Sequence, residues 1–185
     1  MSSIQVNLID RVIPRSKISD VSLVVGAALV TAIAAQVQIP MYPVPMTLQT
    51  LAVLLFAAAL GPWRAVSAMT LYVAMGAVGL PVFAGAKSLG QVLPTAGYLF
   101  GFLVAALLVG YLAQLGLAKR TLNVAISFLV GSALIYFFGA GWLVVGLGMT
   151  PDAAFLAGVA PFLVGDAVKA IFAATLLPVA WKLVR

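Results

Sequence analysis

The chain contains 185 residues, of which 64% are hydrophobic and only 8% are charged. Because a water-facing surface needs polar cover, and soluble domains carry about 25% charged residues, this composition excludes a soluble globular fold. The apolar stretches are continuous rather than alternating, which predicts an all-α integral membrane protein rather than a β-barrel. The chain has no cysteine, no histidine and four carboxylate side chains. These counts exclude disulfides, thiolate chemistry and most metal and acid–base sites.

The apolar stretches predict six membrane-spanning helices, because a helical crossing needs about 20 residues. Residues 1–20 are polar and basic, without a cleavable signal peptide after them, and are expected to form a cytoplasmic segment. The whole chain, 1–185, is then expected to be a single transmembrane domain. Its spans are expected at about 21–37, 47–60, 63–80, 97–118, 122–147 and 154–184.

The positions of the basic residues predict the orientation of these helices. Most of the basic residues fall on one side of the predicted membrane. The loops on the other side hold only Lys87, and Lys169 lies inside the last span. Since cytoplasmic loops carry an excess of Lys and Arg, both termini are predicted to be cytoplasmic. The net charge of +6 is thus explained by membrane topology, and we expect no binding to nucleic acid. Eight basic residues fall on the predicted cytoplasmic side: Arg11, Arg15, Lys17, Arg64, Lys119, Arg120, Lys182 and Arg185.

Two loops on the predicted outer side are unusually rich in proline and glycine. The first, QIPMYPVPM, has prolines at positions 40, 43 and 45, through which a helix cannot continue. The second loop covers residues 81–96. Proline and glycine end helices in many contexts, but two such loops on one side also indicate a site that opens outward.

Asp166 and Lys169 are the only charged residues well inside a predicted span. Each of them alone would cost about 2.5–3.5 kcal/mol at the bilayer centre. Three residues apart on a helix, they share a face and can pair with each other and with a polar ligand. The pair therefore indicates a functional site; the alternative is an ion pair that only neutralises itself between helices.

Small residues recur at helical spacing on two predicted spans. Gly97 and Gly101 begin the fourth span and permit close approach of a helix or a ligand, while Tyr98 between them offers a ring and a hydroxyl. On spacing alone, ordinary helix packing is the favoured interpretation. Ala28 and Ala32 form a similar ridge on the first span, which suits either helix packing or a partner surface.

Motifs for catalysis and for ATP use are missing from the sequence. No G-x-x-x-x-G-K-[ST] phosphate loop is present, so the chain is not expected to use ATP by itself. No zinc spacing, nucleophile triad or selectivity-filter motif is present either. We therefore expect a binding or transport protein rather than an enzyme, with no catalytic residues, no metal site and no cofactor.

Three ordered motifs carry a resemblance to a known family. They are IPMYPVPMTLQTLAVLL at 39–55, GLPVFAGAKSLGQVLPTAGYLFGF at 79–102 and PFLVGDAVKA at 161–170. Together they resemble the BioY family, the biotin-specific substrate-binding subunits (S components) of energy-coupling-factor (ECF) vitamin transporters. The stretch GAKSLG at 85–90 has fewer glycines than the family pattern.

The resemblance implies an S-component-like bundle of six transmembrane helices in a bacterial inner membrane. It implies that biotin is held near the outer face, beneath the loop between the first two spans, and released to the cytoplasm. It further implies docking to an EcfT-like coupling protein and ATP-binding subunits, with Ala28 and Ala32 on the docking ridge. ATP would then act only through those partners. Some family members lack dedicated partners, so lone transport or self-association stays open.

The chemistry of biotin suggests roles for the candidate residues. Asp166 is suited to accept from the ureido N–H groups, and Lys169 either donates to the ureido oxygen or holds Asp166 in place. Lys87 is the candidate partner for the biotin carboxylate. The other candidate contacts are polar or aromatic side chains near the same motifs: Gln49, Gln91, Thr95, Tyr98, Tyr42 and Trp142.

Three alternatives to biotin uptake remain open from the sequence. The first is an S component for another vitamin, such as thiamine or riboflavin, which shares the fold. The second is a stand-alone secondary transporter in which Asp166 couples transport to protons or sodium. The third is a membrane enzyme, for which a visible nucleophile or metal-ligand set is expected and none is found.

Overall fold

The computed structural model describes residues 7–91 and 93–184, and these fold into seven α-helices and one short antiparallel hairpin. Arg185 and residues 1–6, which entered the charge and span predictions, lie outside the described residues. The helices are α1 (Lys17–Gln36), α2 (Gln49–Leu60), α3 (Pro62–Ala77), α4 (Ala96–Gln114), α5 (Thr121–Leu147), α6 (Pro151–Gly158) and α7 (Leu163–Leu183). The strands are β1 (Gln38–Ile39) and β2 (Met46–Thr47).

The helix ends follow local sequence signals. Ser16 caps α1, because its side chain accepts from the Ser19 amide while the Ser19 hydroxyl accepts from the Ser16 amide. Gly61 at φ +81° ends α2, and Pro62 then occupies the first turn of α3. Gly148, in the left-handed region at φ +69°, ends α5. These signals fix the turns between the helices.

Four helical segments among the described residues are long and apolar enough to cross a membrane: α1, α4, α5 and the stretch Pro151–Leu183. The 12 residues of α2 extend for about 18 Å, which is shorter than the hydrocarbon core of about 30 Å. The fold is therefore that of a multi-pass membrane protein. The count of six spans and the cytoplasmic termini stay predictions.

The last predicted span, 154–184, consists of two helices rather than one. α6 ends at Gly158, a 3₁₀ turn covers Ala160–Phe162, and α7 begins at Leu163. Pro161 lies in this turn, where its ring and missing N–H prevent α6 from continuing. Pro178, by contrast, is accommodated inside α7. The break brings Asp166 into the first turn of α7.

Helix α4 lies at the centre of the bundle and contacts α2, α3 and α5. The predicted small-residue ridge at its start faces α5: a Cβ on Gly101 would come within 2.9 Å of the Ile135 Cα atom. This close approach shows that Gly101 serves helix packing, as the spacing favoured. Tyr98 packs on α5 in the same way, at Gly139.

The N-terminal end of the bundle is held by a cluster of ion pairs. The Asp10 carboxylate, whose side chain is 3% exposed, accepts from Arg15 at 2.7 Å and from Arg64 at 2.6 Å, and Arg64 also pairs with Asp20. Burial alone would raise the pKa of Asp10, but hydrogen bonds from Arg15, Arg64 and Asn7 outweigh it and lower the pKa to about 2. The cluster ties the N-terminal 3₁₀ turn, Ile9–Arg11, to α1 and α3.

The opposite end of the bundle, which we call the hairpin end, carries two loops. The hairpin loop, residues 37–48, contains β1 and β2, with Gln38 opposite Thr47, and a cis peptide bond between Tyr42 and Pro43. The long loop between α3 and α4, described at 78–91 and 93–95, is pinched by backbone pairing of Phe83 with Lys87. Residues of both loops line one cavity together with residues of α4, α5 and α7.

Candidate functional site

A cavity lies at the hairpin end, between the two loops and the helices. Its volume is about 50 Å³, which is room for a few water molecules and smaller than typical ligand pockets of about 300–1,000 Å³. The walls are mostly apolar, with polar groups concentrated on one side. The lining residues include Val44, Pro45 and Met46 from the hairpin loop, Phe83 and Ala84 from the long loop, Leu99 and Phe102 from α4, Ile135 from α5, and Phe162.

The polar side of the cavity is built around Asp166 and Lys169, the two residues that the sequence predicted to share a helix face. Asp166 is 5% exposed, and its Oδ1 atom lies 2.7 Å from the Lys169 Nζ atom. The first turn of α7 supports the carboxylate, because a helix N-terminus favours negative charge. The pair is therefore neutral overall and buried at the edge of the cavity.

Neighbouring protein groups occupy most of the remaining hydrogen-bond positions of Asp166 and Lys169. Lys169 donates to the Thr50 hydroxyl at 2.7 Å and to the Thr47 backbone carbonyl at 2.8 Å, so its three N–H donors are all in use. Asp166 accepts from Lys169, from Thr50 at 3.2 Å and from the Tyr136 hydroxyl. A carboxylate offers about four acceptor positions, so one position on Asp166 is left for a ligand N–H.

Sequence reasoning missed Thr50 and Tyr136. Tyr136 is an isolated polar residue within an apolar helix, and neither a charge nor a motif singles it out. Thr50 lies within the motif at 39–55, next to the candidate residue Gln49, but was not selected from it. The Tyr136 ring also stacks on Phe162, with ring centres 6.2 Å apart. The motif itself could have indicated Thr50, whereas Tyr136 could be found only by a search for hydroxyl side chains on apolar spans, which would select many other residues as well.

Three further predicted residues, Gln49, Thr95 and Tyr98, also line the cavity. The polar groups of two of them are directed at protein partners. The Gln49 amide donates to the Tyr72 hydroxyl at 2.7 Å, and the Tyr98 hydroxyl donates to the Gly158 carbonyl at 2.7 Å. Tyr98 thus offers its ring to the cavity and uses its hydroxyl to hold the end of α6.

The other four predicted contacts lie away from the cavity lining. Lys87 and Gln91 are exposed on the long loop, where Gln91 accepts from the Ser88 amide at 3.1 Å. Tyr42 is 94% exposed at the tip of the hairpin loop, and Trp142 lines a separate apolar cavity between α4 and α5. Their roles with a ligand stay predictions. Contact of Lys87, Gln91 or Tyr42 with the cavity would require the loops to move, whereas Trp142 is fixed on α5.

The predicted docking ridge on α1 is turned partly inward. Ala28 has no exposed surface, while Ala32 is partly exposed. Helix α1 packs on α2 and α3, and its outward face carries larger aliphatic side chains, among them Val25, Leu29 and Ile33. In this conformation only Ala32 of the two alanines is available to a partner.

Together, these observations define a multi-pass membrane protein with a small, polar-edged cavity at the hairpin end. Residues 7–185 match the sequence model of the BioY family, and the chain belongs to that family. This confirms the resemblance found in the three motifs. The family consists of transporters, so the prediction that the chain is no enzyme is confirmed as well.

Individual relatives agree with this assignment. The chain is 37% identical over 156 residues to a "Probable biotin transporter BioY" of Pyrococcus horikoshii, covering 83% of this chain and 91% of that one. It is 38% identical over 161 residues to a "Biotin transporter BioY" of Rhodobacter capsulatus, covering 78% and 83% respectively. The fold matches a crystal structure of the S-component for biotin from an ECF-type ABC transporter, with a TM-score of 0.78, 23% identity, and coverage of 90% of this chain and 92% of that chain.

Proposed function

We propose that the chain takes up biotin as the high-affinity substrate-binding subunit of an ECF-type transporter. The observation that carries the proposal is the buried Asp166–Lys169 pair at the edge of an apolar cavity, in a chain whose relatives are named biotin transporters. Biotin combines an apolar bicyclic body with a polar ureido group, and this cavity offers matching apolar and polar sides.

The hydrogen bonds of Asp166 and Lys169 indicate different roles for the two residues. Asp166 has one acceptor position left, which suits a ureido N–H. Lys169 has no donor left, so its proposed role is to hold Asp166 and to fasten the hairpin loop through the Thr47 carbonyl. Of the two roles suggested by the sequence, positioning of Asp166 is therefore favoured over direct donation to the ureido oxygen.

Entry of biotin requires the hairpin loop to move, because the cavity of about 50 Å³ is far below the size of typical ligand pockets. Met46 sets the closed position of this loop: a Cβ on Gly165 of α7 would come within 2.8 Å of its sulfur atom. A shift of Val44 to Met46 away from α7 would enlarge the cavity.

The proposed orientation places the hairpin end outside and both termini in the cytoplasm of a bacterium, across its inner membrane. Charge supports this orientation, because the N-terminal end carries most of the described basic residues, whereas the hairpin-end loops carry Lys87. Biotin would then bind from the outer side. An EcfT-like coupling protein and ATP-binding subunits are proposed to supply energy, since no ATP-binding motif is present in the chain itself.

Calorimetric titration of the detergent-solubilised chain tests the proposal, with thiamine and riboflavin as comparison ligands. We expect one-to-one binding of biotin and no heat with the other two vitamins. Binding of thiamine or riboflavin instead would keep the S-component fold and change the substrate. The absence of biotin binding by a folded sample would contradict the proposal.

A further inference from the structure

A chain of hydrogen bonds joins the two loops at the hairpin end. The Thr47 hydroxyl donates to the Gln49 carbonyl oxygen at 3.0 Å, the Gln49 amide donates to the Tyr72 hydroxyl at 2.7 Å, and the Tyr72 hydroxyl donates to the Val82 backbone carbonyl at 3.2 Å. The direction is fixed, because the amide N–H can only donate and the backbone carbonyl can only accept. This series of hydrogen bonds begins in the hairpin loop and ends in the long loop.

Both ends of this chain are attached to the walls of the cavity. At one end, the Thr47 backbone carbonyl accepts from Lys169. At the other end, Phe83 follows Val82, lines the cavity and is 2% exposed. The Phe83 ring packs edge-on against the Tyr72 ring, with ring centres 5.2 Å apart. Tyr72 therefore holds the long loop both by its hydroxyl and by its ring.

Tyr72 itself is completely buried and lies outside the residues that line the cavity. Its hydroxyl consequently acts on a ligand only through other residues. We propose that Tyr72 is a positioning residue that couples the hairpin loop to the long loop, so that the two loops open and close over the cavity together. As far as it concerns biotin, this inference rests on the proposed function.

The substitution Tyr72→Phe isolates the hydroxyl, because the ring and its contact with Phe83 are kept. It leaves the Gln49 amide without its acceptor and breaks the link to the long loop. The long loop keeps a second anchor, since Gln36 donates to the Phe83 carbonyl at 3.1 Å and accepts from the Ala86 amide at 3.0 Å. The variant is therefore expected to fold with its loops uncoupled.

Distance measurement between spin labels tests the coupling without any ligand. The chain has no cysteine, so Ile39→Cys in the hairpin loop and Leu89→Cys in the long loop, both exposed, give one labelled pair. We expect one narrow distance distribution in the parent and a broader one in Tyr72→Phe. Tyr111→Phe, which removes a hydroxyl from a half-exposed residue on α4, should match the parent. An unchanged distribution in Tyr72→Phe would overturn the inference.

Kinetics of biotin binding supply the second readout. Loss of one buried hydrogen bond should speed biotin dissociation about 5–30-fold, with little change in the association rate, because no residue of the cavity lining is altered. Gln49→Met breaks the same series of hydrogen bonds and also alters the cavity lining, so its dissociation rate should rise at least as much. Adding Tyr72→Phe to Gln49→Met should increase that rate little further, since both substitutions break the same series. A parent-like dissociation rate in both variants would contradict the coupling. If the parent itself does not bind biotin, the proposed function fails while the label distances still decide the coupling.

Discussion

The two ends of the bundle each bury a carboxylate against basic side chains, and the two clusters differ in what surrounds them. At the N-terminal end, Asp10 is bonded by Arg15 and Arg64 and ties a surface turn to α3. At the hairpin end, Asp166 pairs with Lys169 beside a cavity and beneath two loops. A buried ion pair is thus not by itself a sign of a binding site. The cavity and the loop contacts distinguish the second pair from the first.

Replacing the buried aspartate by asparagine, at either end of the bundle, should give the largest difference between the two clusters. Asp166→Asn keeps the size of the side chain but removes the charge that holds Lys169 and a ligand N–H. Since a hydrogen bond to a charged group contributes about 1.5–3 kcal/mol, we expect biotin affinity to fall about 100-fold by calorimetry. Asp10→Asn should leave biotin affinity within about twofold and lower the melting temperature instead.

An exposed aspartate provides the control for this comparison. Asp152, in the first turn of α6, lies on the surface outside the cavity lining, and Asp152→Asn should change neither affinity nor stability. Equal affinities of the Asp166→Asn and Asp152→Asn variants would show that Asp166 has no part in binding.

Removal of the cation at the hairpin end should have the next largest effect. Lys169→Met leaves the Asp166 charge uncompensated and frees the Thr47 carbonyl of the hairpin loop. We expect biotin affinity to fall about tenfold, less than for Asp166→Asn, because every Lys169 donor is directed at the protein. A larger loss for Lys169→Met than for Asp166→Asn would instead indicate direct contact between Lys169 and biotin.

Acid should weaken the N-terminal cluster in a defined pH range. The pKa of Asp10 is lowered from 3.8 to about 2 in the folded protein, so its contribution to stability is complete above about pH 4 to 5 and is lost as the pH falls through 2. Melting temperatures between pH 2 and pH 7 should show this loss in the parent and a weaker one in Asp10→Asn. An identical acid dependence in both proteins would contradict it.

The smallest effect is expected at the tip of the hairpin loop. Tyr42 is 94% exposed and contributes nothing to the cavity lining. Tyr42→Ala should therefore change biotin affinity by less than about twofold, since exposed substitutions rarely alter a buried site. A loss of tenfold or more would show that Tyr42 folds onto bound biotin, as its sequence motif suggested.

Composition and local signals were enough to predict much of this molecule. The lipid-embedded helical class follows from 8% charged residues, and Gly61-Pro62 marks the turn between α2 and α3. Asp166 and Lys169 were expected to pair with each other because charge inside an apolar span is costly and rare, and the structure shows this ion pair. These features depend on one residue and its immediate neighbours, which is the information that a single sequence contains.

Contacts between distant segments could not be predicted in the same way. Tyr136 bonds to Asp166 across 30 positions, and Tyr72 joins Gln49 to Val82 across three segments of the chain. Helix packing decides such pairings, and a hydroxyl within an apolar stretch gives no sign of its partner. Trp142, an aromatic residue selected for ring stacking, lies at a separate cavity between α4 and α5, and its role with a ligand stays a prediction.

A structure of the chain determined with biotin would test the central claim most directly. The account predicts the ureido ring beside Asp166, within hydrogen-bond distance of its carboxylate, and the hairpin loop shifted at Val44 to Met46. Biotin bound elsewhere, for example in the cavity between α4 and α5 that Trp142 lines, with Asp166 and Lys169 unchanged, would contradict it.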